Sequence, residues 1–136
     1  MNKLEELQDN IKITIKTELN KTENKNDLIN AMTNIVDIDY DVKNKEIIGK
    51  STNYKKLINL HDRLRNKQTT HIARKVLMRN SDEDMTYILF NKQAAAIDSV
   101  VICENYKESP LGPIFMKIKA KDILEFIDWF VPRHKT

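Results

Sequence analysis

Hydrophobic spacing along this chain switches between two periods, and that switching limits its fold more than any other feature. Ile11-Lys12-Ile13-Thr14-Ile15 and the run from Ile114 to Ile118 put apolar side chains at every second residue. Successive strand residues point to opposite faces, so each run has one face to bury and one to leave wet. Leu28, Met32, Ile35 and Val36 recur at helical spacing instead, as do Ile123, Phe126, Ile127 and Phe130. A chain with both patterns satisfies both by laying its helices against a sheet.

The intervening segments extend this reading. Ile38, Tyr40 and Val42 alternate, and Asn44 turns the chain into a strand near Glu46 to Lys50. Asn53 is placed to cap a helix beginning near Tyr54, with Leu57, Leu60, His61 and Leu64 on one face. A second helix is predicted from His71 to Arg79, capped by Thr70, with Ile72, Ala73, Val76 and Leu77 as its apolar face. Thr86 to Phe90 and Ser99 to Cys103 are rich in strand formers, and Lys92 to Ala96 fits a helical turn between them. Asp122 caps the last helix and Pro132 ends it. The predicted order is β-α-β-β-α-α-β-β-β-α. Short polar connections between strands favour a largely antiparallel single sheet with helices on one face, an α+β class.

With 136 residues, 40% of them apolar, the chain fits one domain and one core. Residues 1–10 read as an N-terminal extension and residues 11–136 as the domain. Glu5, Glu6 and Asp9 are unlike a signal peptide, and no apolar stretch approaches the length of a membrane span, so the expected location is the cytoplasm. The single cysteine, Cys103, lies in the apolar run Val100 to Cys103 and reads as a buried small hydrophobe. His61, His71 and His134 lack metal-ligand spacing, two glycines leave no room for a glycine-rich phosphate loop, and no catalytic constellation is recognisable. No cofactor is expected.

The net charge of +3 is unevenly spread. Residues 50–80 carry 9 Lys and Arg against 1 acidic residue, whereas the flanking segments are both net acidic. A concentrated excess creates a local field that attracts anions. On the first middle helix Lys55, Lys56, Asn59, Arg63 and Arg65 fall opposite the leucine stripe. On the second, His71, Arg74, Lys75 and Arg79 fall opposite Val76. Side by side, these faces would merge into one surface for phosphate oxygens. A solvated helix face explains any one of them equally well. Met78, on the same side as Arg74 and Lys75, hints at a contact surface. Asn91, Lys92 and Gln93 end a strand and carry side chains able to serve bases or phosphates, although a turn there needs only the asparagine. Tyr54 is the only aromatic residue in the basic segment, so backbone and shape recognition fits better than base stacking.

Ala73-Arg74-Lys75-Val76-Leu77, Asn91 through Ala95, Glu108 through Ile114, and Ile127-Asp128-Trp129 with Pro132-Arg133 together resemble an uncharacterised archaeal family grouped as RNA-binding proteins. The likeness covers most of the chain after the N-terminal extension. It implies a fold similar to that of the ribosomal protein that binds 5S RNA, and it carries no catalytic residues. Ile123 departs from the family pattern, where a proline is expected, and so does the long N-terminus.

The resulting expectation is a protein that recognises structured RNA mainly through phosphate contacts. Lys55, Lys56, Arg63, Arg65, Arg74, Lys75 and Arg79 are the expected backbone contacts, and Asn91, Lys92 and Gln93 the candidates for specificity. The alternatives are a module that docks an acidic protein partner and, behind it, an enzyme acting on a phosphorylated metabolite.

Overall fold

In the computed structural model, residues 11–133 are described. The expected extension at residues 1–10 and His134 lie outside them. Strand β1 spans Lys12–Glu18, helix α1 Lys25–Ile35, β2 Asp41–Lys43 and β3 Glu46–Ser51. A 3-10 turn at Tyr54–Leu57 leads into α2, Ile58–Arg63, and then α3, Lys67–Arg79. After β4, Met85–Phe90, come α4, Lys92–Ala96, and β5, Ile102–Cys103. A second 3-10 turn, Tyr106–Glu108, precedes β6, Ile114–Lys119, and α5, Ile123–Phe130.

All strand pairings are antiparallel, in the order β2-β3-β1-β6-β4-β5. The two strictly alternating runs, β1 and β6, are neighbours at the centre, in register from Lys12 opposite Lys119 to Lys16 opposite Phe115. On one face Ile13, Ile15, Ile88, Phe90, Ile114, Met116 and Ile118 are buried. They form one core with Leu28, Met32, Leu60, Val76, Leu77, Phe126 and Phe130 from the helices. Burying each such side chain contributes roughly 1.5–3 kcal/mol. The other residues of the central strands (Thr14, Lys16, Phe115, Lys117 and Tyr87) are only partly buried.

Tyr40 secures the β2–β3 edge. Its hydroxyl donates to the Val36 carbonyl at 2.7 Å, and its ring lies where a Cβ on Gly49 would sit, 2.6 Å from Cδ1. No side chain fits at position 49 while that ring stays in place. Burial, with Asp37 nearby, pushes the Tyr40 hydroxyl well above its ordinary pKa.

Several local expectations are corrected. Asn66, not Thr70, caps α3, its side chain accepting from the amides of Gln68 and Thr69. Thr70 is buried inside the helix and donates to the Leu64 carbonyl. The buried face accordingly runs through Thr70, Ala73, Val76 and Leu77, leaving Ile72 38% exposed. The strand expected from Ile38 begins only at Asp41, because Tyr40 turns inward to the end of α1. The strand expected from Ser99 shortens to two residues, because Asp98 at positive φ and the hydrogen bond from Ser99 N to the Ala94 carbonyl hold the chain against α4. Cys103 is buried, as expected, and burial together with Glu108 raises its thiol pKa.

Candidate nucleic-acid interface

The cations expected to act together separate into groups. Asn53 caps the first 3-10 turn by accepting from Lys55 N at 3.0 Å, which leaves Lys55 and Lys56 exposed. Arg63 is not on the same face. Its guanidinium donates to the Asn34 carbonyl at 2.8 Å and pairs with Asp98 at 3.0 Å, tying α2 to the end of α1 and the loop after α4. Arg74 pairs with Asp128 at 2.8 Å and donates to the Val131 carbonyl at 3.1 Å, docking α5 onto α3. Lys75 meets the Glu104 carboxylate at 3.0 Å, and Arg79 the Glu104 carbonyl at 2.6 Å.

Beside α3 the chain returns at Pro132 and Arg133, forming a groove of about 920 Å³. Lys67, His71, Arg74, Lys75 and Arg133 line it, over an apolar floor that includes Ile72 and Met78. A smaller cleft adjoins it, sharing Thr70, Pro132 and Arg133 and adding Arg65. The fold therefore brings Arg65, Arg74 and Lys75 together, sets Arg63 and Arg79 apart, and leaves Lys55 and Lys56 outside both clefts. His61 helps position this end of the molecule. Its ring stacks on Trp129 at 4.8 Å between centroids, and its Nε2 donates to the Trp129 carbonyl at 3.1 Å.

Asn91, Lys92 and Gln93 serve the fold. Asn91 caps α4 by accepting from Ala94 N at 2.8 Å, and Gln93 donates to the Pro110 carbonyl at 3.1 Å. Lys92 is 3% exposed. Its ammonium donates to the carbonyls of Glu18 and Leu111 at 2.9 and 2.8 Å and pairs with Glu23 at 3.1 Å. All three ammonium donors are thereby satisfied, as a buried charge requires. Burial acts to raise the Glu23 carboxyl, but hydrogen bonds from Asn20 and Lys92 outweigh it and hold the group below its ordinary range.

The uncovered sheet face follows from helices packed on one side, but none of the residues it gathers is among the candidates read from sequence. Three antiparallel registers align Lys50, Thr14, Lys117 and Tyr87 in one row across β3, β1, β6 and β4. The next row holds Ile48, Lys16, Phe115 and Leu89. Tyr87 and Phe115 stack at 5.2 Å between centroids, and Lys16 Nζ sits 5.2 Å from the Phe115 centroid. A cleft of about 620 Å³ opens beside them, bounded by Arg79, Asn80 and Tyr106. Tyr106 donates to the Glu18 carboxylate at 2.9 Å, which raises its own pKa. The signal was present in the alternate residues of β1, β4 and β6, but these look like ordinary solvent-facing positions until the register places them side by side.

Among the described residues no group of three or more His, Cys, Asp or Glu is placed to hold a metal, and no helix is long and apolar enough to cross a membrane. A six-stranded antiparallel sheet with its helices gathered on one side defines an α+β protein. The chain belongs to the protein family described as RNA binding, whose model matches residues 12–120. It is similar to the UPF0201 protein of Sulfurisphaera tokodaii, with 32% identity over 127 residues that cover 90% of this chain and 88% of the relative. A UPF0201 protein of Sulfolobus acidocaldarius is 31% identical over 128 residues, with the same coverage. The solved structure of a UPF0201 protein from Methanococcus jannaschii aligns with a TM-score of 0.74 and 30% identity, covering 91% of this chain and 95% of that one.

Proposed function

We propose that the protein is a non-catalytic, cytoplasmic RNA-binding protein that holds structured RNA mainly by its phosphates, using a basic surface along α3 and the turn before it. The observation that carries this reading is the grouping of Arg65, Lys67, His71, Arg74, Lys75 and Arg133 around adjoining clefts. Family membership supports the same reading. Arg65, Lys67 and Arg133 have no ion-pair partner among the described residues, so their charges are open to phosphate oxygens. Lys55 and Lys56 extend the positive field. Arg63, Arg79 and Lys92 leave the set of phosphate contacts, since all three are committed to internal partners away from these clefts.

The test is a set of binding isotherms for a hairpin RNA at several salt concentrations. Each phosphate contact releases counterions, so each one lost flattens the log–log salt slope by about 0.9 on duplex charge densities. The variant Arg65→Ala/Lys67→Ala changes two exposed side chains. It should bind several RNAs more weakly, with a slope lower by up to about 1.8 and an unchanged melt. An unaltered slope in a folded variant removes this surface from the reading.

A second reading has one observation in its favour. Ile72 and Met78 are each 38% exposed on the groove floor, which suits an acidic protein partner with an apolar face.

A further inference from the structure

The geometry points to a second RNA contact, distinct from the α3 groove: the open face of the sheet is a platform on which unpaired bases stack against Phe115 and Tyr87 while lysines follow the backbone. The inference rests on the reading that the protein binds RNA, and it adds the substrate class, a structured RNA carrying a single-stranded segment.

Antiparallel register builds the platform. Phe115 and Tyr87 belong to neighbouring strands and stack with their planes 29° apart, on the side of the sheet away from the core. Tyr87 has no hydrogen-bond partner for its hydroxyl among the described residues, so its outward placement is not explained by an internal polar contact. A half-buried aromatic face gains by being covered further, and every base presents a ring for that purpose. The sheet is therefore suited to an unpaired strand, whose bases can be splayed out, and not to a duplex, whose bases are already stacked.

Charge identifies the occupant as an anion. Lys12, Lys16, Lys50, Lys117 and Lys119 all fall on this face by register. Carboxylates border it at one end. Glu18 and Glu46 face each other in the row next to Lys16 and Phe115, and with Glu104 they line the adjoining cleft, whereas Asp41 sits on the edge strand and Asp84 lies 3.7 Å from Lys119. Rows along a strand recur every two residues, about 6.8 Å apart, so the lysines form a ladder flanking the rings. In the adjoining cleft of about 620 Å³, Arg79 and the amide of Asn80 are held by the carbonyls of Glu104 and Tyr87, so the stacked rings and the lysines carry the contact. An apolar partner would have to bury these lysines unpaired, which is costly.

The probes are a hairpin RNA with a single-stranded 3′ tail and the same hairpin without it, titrated against wild type, Phe115→Leu, Tyr87→Leu and Phe115→Tyr. The tail should raise affinity for the wild type. Phe115→Leu and Tyr87→Leu should each weaken binding to the tailed RNA by about tenfold and leave the tailless hairpin unaffected. Phe115→Tyr, which keeps a stacking ring, should bind like wild type, a rescue that general destabilisation would not produce. Melts confirm folding, and Tyr87→Leu serves if Phe115→Leu unfolds. If the hairpin binds but the tail adds nothing, or the tail's contribution survives in folded leucine variants, the platform is refuted and the α3 reading stands. If neither RNA binds the wild type, both readings fall. Sedimentation showing a wild-type dimer that Phe115→Asp converts to a monomer would assign the face to a second copy and overturn the proposal.

Discussion

Lys92 separates what a residue's type advertises from what its surroundings do with it. Between a strand and a short helix, an Asn-Lys-Gln sequence reads as equipment for a nucleic acid. Burial decides otherwise, because the ammonium lies among two carbonyls and the Glu23 carboxylate. Those partners come from distant parts of the chain, so no local pattern could announce them. Removing one member of a buried pair leaves the other charge uncompensated, so Lys92→Met should destabilise the fold by about 3 kcal/mol or more in denaturant titrations. Glu23→Gln/Lys92→Met should recover much of that loss. The pair also predicts a pH dependence. The Glu23 carboxyl is depressed below its ordinary 4.5, so its stabilisation is complete above that value. It is lost as pH falls through the lower folded value, when the native carboxylate takes up a proton. Wild type should therefore lose stability more steeply than Glu23→Gln below pH 4.5 in acid melts. Parallel acid profiles for the two proteins would refute this role.

At the scale of elements, legibility followed the strength of the local pattern. Strands β1 and β6 are legible in the sequence because strict alternation has one solution when one face is buried. The start of α3 was misplaced because Asn66 and Thr70 are both competent caps in sequence. Only the tertiary structure discriminates between them, by burying Thr70 under Leu64 and leaving Asn66 exposed. That assignment predicts unequal costs. Asn66→Ala removes the acceptor for two otherwise unpaired amides and should cost about 1 kcal/mol, within the usual 0.5–2 for a cap. Asn66→Asp should retain most of the stability. Thermal melts of the two variants check the cap, and an Asn66→Ala protein as stable as wild type would contradict it.

For the whole molecule, the sequence carried the class of fold and the position of the charge excess, but not how that charge is distributed. Nine cations in residues 50–80 suggested one surface. The fold uses Arg63, Arg74, Lys75 and Arg79 as ties between elements, and it leaves Arg65 and Lys67 available beside Arg133. Ion-pair partners lie far away in sequence, so a count of charges overstates what remains for a ligand. The stacked rings of Tyr87 and Phe115 show the opposite error, since residues unremarkable in sequence become a pair only through the β4–β6 register. The most direct measurement is ultraviolet crosslinking in cells that produce the protein, followed by purification under denaturing conditions and mapping of RNA-modified peptides. The account predicts covalently attached RNA on peptides from α3 and its preceding turn. Protein recovered without RNA, while a chemical crosslinker traps an acidic protein against Ile72 and Met78, would contradict it.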